Sequence, residues 1–468
     1  MRSANENLPG RCAMTGSALL LALALAFTGS ASTPNNTYTN HLGPPNGIDD
    51  TLALQDALDD CVNNHSSGCT IQLTAGTYRS GPLGAENFHG TLLGKGMGVT
   101  DIEVLTPIVP VDDVWPNLMT FIDGDIAISD MTLKVTAYEP VVPCMPWICG
   151  MYSLVLITGN TSANASFQRV AFEGGPGDGW GGYNLYAGLL FEGVDLGNLN
   201  FTGTLQMSGC RIRNSSENMR VYGVADAHVT IGGSPKSGNM FESSVLNVFV
   251  VEAARSVVEF SYNTVNTSGN FVGVLLDQAA DFAHDPSQFN AHHNTINVSG
   301  DFNSGIAVVD FNHYALGTGA STFVVSNNDI TLKDSPGGLP WNAIDVEFSE
   351  GSVVSNNRVS GSGSYGITTE IANGCLIKGN NVQNVNADYA AIGLLWDYWD
   401  DPPTAPTTNC TVVGGNNKAN VDDEGVGNIL VGVNNMHGNP PGPAIKDAMK
   451  RKQEMLKGGI AFSMAPVR

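Results

Sequence analysis

Between about residue 70 and residue 435, apolar and polar positions alternate in short runs, and Gly, Asn, Asp or Ser punctuates them. A period of two predicts half-buried strands, and the punctuation predicts tight turns. Asn342–Val359 and Tyr365–Val382 show the unit: two alternating strands flank a short turn, and an Asn follows the second. The same Asn-X-apolar triplet stands at Asn239, Asn263, Asn294, Asn328, Asn357 and Asn380, with gaps of 24, 31, 34, 29 and 23 residues. A gap of 23 fits one coil of three short strands, and the excess is loop, so the pattern predicts a solenoid of variable period. Asn tolerates the left-handed geometry of a tight turn. In stacked coils each Asn amide can also hydrogen-bond the next.

The start of the chain differs. Over Asn46–Asn64, Asp49 or Asp50 is placed to cap a helix whose apolar side is Leu52, Leu54, Ala57, Leu58 and Cys61. A strand at Thr70–Thr74, a turn at Ala75-Gly-Thr-Tyr78 and a glycine-rich strand and turn at His89–Gly98 follow. This block and the asparagine repeat resemble the pectin-lyase-like superfamily. The resemblance implies an all-β, single-stranded right-handed parallel β-helix with an N-terminal capping helix. It covers roughly residues 45–435 and bears on fold alone, since lyases, hydrolases, epimerases and tail spikes share it.

Three segments are expected: a leader over 1–31, the β-helix with its cap over 32–436, and a basic tail or capping helix over 437–468. In the leader, Arg2 and Arg11 precede the apolar run Ala18–Phe27 and the small residues Gly29-Ser30-Ala31. That is the layout of a secretory signal, too short to span a bilayer. The expected location is extracellular or periplasmic. Ala444–Lys457 is helical in propensity and locally basic, and reads as an end cap over the last coil edge.

Composition narrows the functional classes. Charged residues are 14% and Gly numbers 55, which disfavours helical bundles and suits strands and turns. The net charge of −23 would repel nucleic acid and anionic membranes, so neither is expected as a partner. Of the eight cysteines, Cys12 lies in the leader. Cys61 with Cys69, and Cys144 with Cys149, are placed for local disulfides. Cys210 and Cys375 read as buried small hydrophobes. Sequons recur at Asn160, Asn214, Asn266 and Asn297.

The candidate chemistry comes from the strand that precedes each asparagine strand. Asn247–Glu252, Gly273–Asp277, Gly305–Asp310, Ala343–Glu347, Gly366–Glu370 and Ala391–Asp397 each start apolar and end in a carboxylate. Alternation turns Val346 and Thr369 inward, and Asp345, Glu347 and Glu370 outward. Aligned by their ends, the strands give a column of Glu252, Asp277, Asp310, Glu347, Glu370 and Asp397, the last after a two-residue slip. The superfamily resemblance implies that this sheet's outer face forms a sugar-binding groove.

Adjacent coils lie ~4.8 Å apart, close to the ~5–5.5 Å carboxyl separation of retaining glycosidases. Glu347 and Glu370 form the expected acid/base pair, with Asp310 or Asp345 in reserve. Asp277, Asp345, His313, Trp341, Tyr365, Asp397, Tyr398 and Trp399 are the expected substrate-binding residues, because flat rings pack on sugar faces and polar neighbours fix orientation. The bland alternative is a splayed, solvated acidic face.

Other strings are weaker. Gly174–Gly182 lacks a phosphate-loop Lys, Asp422-Asp423-Glu424 reads as an exposed charge run, and His292-His293 at an asparagine turn reads as structural. The Gly-His-Gly motif of polygalacturonases, the Asp-Pro-His-Glu string of alginate epimerases and the Lys/Arg pair of the lyases are not found. Basic residues on the expected face are few, Arg220 being the clearest.

Three readings remain. One is a glycoside hydrolase on a largely neutral polysaccharide, requiring no cofactor. Another is a calcium-dependent polysaccharide lyase or epimerase, and the last a non-catalytic glycan-binding surface protein.

Overall fold

Three ladders of parallel strands wind around one apolar interior, as the alternating runs predict. The computed structural model describes residues 38–105, 116–136, 151–177, 183–193, 201–267, 272–277, 285–300, 303–335, 338–396, 405–414 and 419–435. The expected leader and C-terminal tail, Cys144–Cys149, Asp397, Tyr398 and Trp399 lie outside them. Among the described residues no helix is long and apolar enough to cross a membrane.

The first face stacks Leu185–Gly193, 217–225, 246–254, Val272–Asp277, Ser304–Val309, Asn342–Glu347, 365–370 and 390–395. On the second, His228–Gly232, Val257–Ser261, Gln288–His292, Thr322–Ser326, Val353–Ser355 and Leu376–Lys378 follow one another. Thr264–Thr267, Thr295–Ser299, Asp329–Lys333 and 358–361 belong to the third. Every ladder is parallel and joins one coil to the next, the right-handed parallel β-helix expected from the sequence. Inward side chains fuse into a single core in which like residues stack, as with Phe289 on Phe323 at 4.8 Å between centroids.

Helix α1, Thr51–Asn64, packs Leu54, Ala57, Leu58 and Cys61 on the first coils. Asp50 holds the N-cap position, but its carboxylate accepts from Asn46 N at 2.9 Å and Arg79 N at 3.2 Å, tying the helix to the first coil. Leu52, expected on the apolar side, is 73% exposed. It lies one turn-position off the stripe that faces the core.

The asparagine ladder forms at all six expected positions. Asn294, for example, donates its backbone N–H (3.0 Å) and its Nδ2 (2.9 Å) to Asn328 Oδ1, while Nδ2 also reaches Phe260 O at 2.9 Å. The link repeats from Asn239 to Asn380. One detail is corrected. The left-handed residue is the one before five of the six ladder asparagines: Tyr262, His293, Asn327, Asn356 and Gly379 have φ between 55° and 64°. That residue turns the corner, which frees the ladder Asn to point into the coil.

Replacing Asn328 with Ala removes two donors and the acceptor that Asn294 uses. Each stranded buried group costs about 1–3 kcal/mol. The expected result is a clear fall in the urea midpoint, absent from Asn327→Gly, which keeps the left-handed turn.

A second ladder, not anticipated, runs along another turn. Ser256 Oγ accepts from Ala227 N at 3.0 Å, Ser287 Oγ from Ser256 N at 2.9 Å and Ser321 Oγ from Ser287 N at 3.1 Å. Further along, Cys375 and Cys410 hold equivalent coil positions and are joined as a disulfide across 35 residues. Cys375 is therefore not the simple buried hydrophobe expected. Closing a loop of that length stabilises by about 3–4 kcal/mol. Cys61–Cys69 is bridged as expected. Cys210 is free and buried as expected, and burial pushes its thiol up to about 12. The two disulfides suit an oxidising compartment.

Candidate functional site

The six carboxylate-ended strands stack by their apolar starts. Ile306 pairs with Ile344, Ile344 with Ile367 and Ile367 with Ile392, so core packing sets the register. The strands differ in length, and their ends therefore do not align. The outward column reads Val251, Asp277, Val309, Glu347, Glu370 and Leu395. Asp277, Glu347 and Glu370 share it, but Glu252 and Asp310 fall one residue beyond. The expected single acid column is thus corrected to three members.

Asp310 has a different task. It caps the short helix α2, Phe311–Leu316, with Oδ1 accepting from His313 N at 3.3 Å and Oδ2 from Ser321 N at 2.8 Å. Burial raises its pKa against those hydrogen bonds. His313 pairs with Glu350 at 3.0 Å and contacts Thr318 O through Nδ1 at 2.6 Å. Neither residue reaches the Glu347–Glu370 pair through these contacts.

What the fold does bring together is Asp345, Glu347 and Glu370. Asp345 and Glu347 are two apart on one strand and so share its outer face, and Glu370 is the register partner of Glu347 on the next coil. One carboxylate oxygen from each lies within 4.8 Å of the other two. Thr368, opposite Asp345, donates its hydroxyl to Asp345 Oδ1 at 2.6 Å and accepts from Asn342 Nδ2 at 2.6 Å. Nothing in the local sequence marks Asn342 and Thr368 as a relay. Their places opposite one another in the stack would have identified them.

The outward direction of the three acids matches expectation, but the solvated face does not. Asp345, Glu347 and Glu370 are 0%, 1% and 4% exposed. Two carboxylates ~5 Å apart repel by about 3 kcal/mol at an effective dielectric of ~20. Shared protons or a bound cation relieve such repulsion between buried carboxylates. Asp422 and Glu424 extend the acidic end of this face two coils on, because Asp422 is the register partner of Gly393.

The expected ring wall is also repositioned. Trp341 and Tyr365 are fully buried and meet edge to face at 5.5 Å, with Tyr389 beyond at 5.4 Å. The Tyr365 ring covers Gly393, where a Cβ would stand 3.0 Å from Cε1. Burial, with Asp422, Glu424 and Glu370 nearby, drives its hydroxyl pKa far up.

The middle of the same face is apolar. Leu246, Phe249, Val251, Val272, Leu275, Ala307 and Val309 form a second buried cluster outside the coil. The expected continuous acidic groove is absent among the described residues of these coils. On the earlier side of this belt sits a buried ion network. Arg220, 2% exposed, grips Glu217 with Nη2–Oε1 at 2.7 Å and Nε–Oε2 at 2.9 Å, and Glu192 at 3.5 Å. Tyr186 donates to Glu217 at 2.9 Å and also bonds Arg220. Tyr152 stacks on Tyr186 at 5.2 Å, and the guanidinium lies over Tyr186 and Phe249. Burial pushes Glu192 above the ordinary carboxylate range although Arg220 opposes it. Only Arg220 of this network stood out in the sequence.

No family model matches the chain, and no curated protein matches it. Solved structures do. The A-module of the mannuronan C-5 epimerase AlgE6 of Azotobacter vinelandii is 15% identical, covering 87% of this chain and 96% of its own, with a TM-score of 0.36. The Dettilon tailspike protein gp208 is 12% identical over 76% of this chain and 68% of its own, with a TM-score of 0.43. The Streptococcus pneumoniae surface protein and adhesin PfbA is 14% identical over 76% and 99%, with a TM-score of 0.39. The chain's own parallel ladders, N-terminal helix and internal asparagine column give it the right-handed parallel β-helix fold.

Proposed function

We propose that the chain is a secreted carbohydrate-active enzyme that cleaves a polysaccharide, with Glu347 and Glu370 as its acid/base pair. The observation that supports this is the stacking of Glu347 on Glu370 with Asp345 beside them, their carboxylate oxygens within 4.8 Å. In such a site repulsion and burial keep one carboxyl protonated next to an ionised one. Side chains opposed on adjacent coils, ~4.8 Å apart, come near the ~5–5.5 Å carboxyl separation of a retaining glycoside hydrolase. The protonated carboxyl delivers its proton to the glycosidic oxygen as the bond to the anomeric carbon breaks. The ionised partner bonds that carbon, and water then releases the sugar while the first carboxylate takes the water's proton. Thr368 holds Asp345 in place through its hydroxyl, and Asn342 holds Thr368. The cluster is closed to solvent, so the reading requires this face to open for the glycan.

A calcium-dependent lyase or epimerase is the second reading, favoured by the three-way convergence of hard oxygen donors. Asp345, Glu347 and Glu370, with the Thr368 hydroxyl adjacent, fit the all-oxygen donor set that calcium takes. Bound there, the ion would neutralise the cluster and attract an acidic sugar. Digestion of a glycan panel, with and without calcium or chelator, separates the readings. New reducing ends on saturated products support hydrolysis. Calcium-dependent absorbance from unsaturated sugars, or inverted uronates without cleavage, supports the second reading. A glycan bound but left intact under every condition refutes both and favours a surface-binding protein.

A further inference from the structure

The turn between the second and third faces carries adjacent histidines whose geometry exceeds what a turn needs. His292 Nδ1 and His293 Nδ1 stand 2.8 Å apart. On its far side, His292 Nε2 is bonded to Glu259 on the preceding coil. In the tautomer of a neutral His292 that donates Nε2–H to Glu259, the Nδ1 lone pair faces His293. His293 is held by the left-handed backbone at φ 57° and by stacking on Tyr262, with ring centroids 4.9 Å apart and planes within 15°.

We propose that His292 and His293 chelate a divalent first-row transition ion, of the class of Zn2+ or Cu2+, through their two Nδ1 atoms. Glu259 acts as the outer carboxylate that orients His292. Imidazole nitrogens suit these ions, with bond lengths of ~2.0–2.1 Å. Two ligands at such lengths stand about 3 Å apart at the ~90° angle of a tetragonal copper site and about 3.4 Å apart at a tetrahedral zinc angle, so the observed spacing needs a change of a few tenths of an ångström at most. A small rotation of each ring turns the lone pairs from one another onto a common point. His293 then carries its proton on Nε2, so a neutral pair loses none. Carboxylate–histidine–metal arrangements are the usual outer shell of such sites. Two protein ligands leave the remaining positions to water or to a ligand's own donors. The pair lies on a different turn from the Asp345–Glu347–Glu370 cluster and stands independently of its function.

The coils themselves supply substitutions that spare the fold. Ser326 and Asn327 occupy on the next coil the places of His292 and His293, with Asn327 also left-handed at φ 55°. In the full chain without an affinity tag, titration with ZnCl2 and with CuCl2 should show one site. His293→Asn and His292→Ser should each weaken it at least tenfold, and Glu259→Gln by about 10–100-fold. Copper bound to the wild type should give an electron paramagnetic resonance spectrum with hyperfine splitting from two imidazole nitrogens. Equal affinity in the wild type and the folded His292→Ser/His293→Asn double variant would overturn the proposal, as would a copper spectrum without nitrogen coupling. Zinc or copper binding lost on Glu370→Gln but kept in the double variant would place the ion in the acid cluster and equally overturn it.

Discussion

Replacing Arg220 with Met should destabilise the chain by about 3–5 kcal/mol, the usual cost of removing one partner from a buried ion pair. The guanidinium is the shared cation of Glu217 and Glu192, and it also bonds Tyr186. Met fills much of the volume, so packing is largely kept while two buried carboxylates lose their counter-charge. Urea or thermal unfolding at neutral pH reads the loss. The deficit should shrink in acid. Glu192 already binds its proton more tightly in the fold than a free carboxyl does, and without Arg220 that preference grows. A carboxyl with a raised folded pKa gains stability as pH falls through that value, so protonation offsets the missing cation. A deficit that stays constant down to acid pH would show that lost packing, rather than lost charge, dominates.

Glu347→Gln and Glu370→Gln carry the other large effect. If one of the pair is the proton donor and the other the nucleophile of glycan cleavage, each substitution should lower kcat by at least about 10²-fold. Both variants should unfold at a higher temperature than the wild type, since each replaces one of three acidic groups packed within 4.8 Å by a neutral amide and so relieves their mutual repulsion. This combination, less active and more stable, distinguishes a site held under electrostatic strain from a structural one. Unchanged glycan cleavage by a folded Glu370→Gln enzyme would remove the pair from the mechanism. Asp345→Asn should affect stability in the same direction, although it also weakens the Thr368 hydrogen bond.

Comparison of individual residues shows where the sequence was legible. The ladder asparagines were visible because a buried turn repeated once per coil needs the same side chain each time, and repetition is a one-dimensional signal. The outward direction of Asp345, Glu347 and Glu370 was equally visible, because strand alternation fixes it. The disulfide between Cys375 and Cys410 was missed although both precede matched strands 35 residues apart. A loop of irregular length hid the common coil position. The serine column escaped for the same reason.

Register is the deeper difference. The carboxylate ends of the six strands suggested one acid column, yet the chains pack by their Ile and Val positions. Burying those side chains is worth roughly 1.5–3 kcal/mol each, whereas aligning like charges is unfavourable. Asp310 therefore passes the column and caps α2, and Glu252 falls outside it. Burial, too, was beyond the sequence. Alternation tells which way Glu347 points, but whether water or protein lies over it depends on what the tertiary fold sets against that face.

By itself, then, the sequence determined the coil, its capping helix, its asparagine column and the sidedness of its acids, because each follows from local periodicity. The tertiary structure alone decided that three of those acids converge, that Arg220 is locked between two others, and that an apolar belt separates the groups. Those outcomes depend on stacking register and on burial, which are set by contacts between residues about 23 to 35 positions apart.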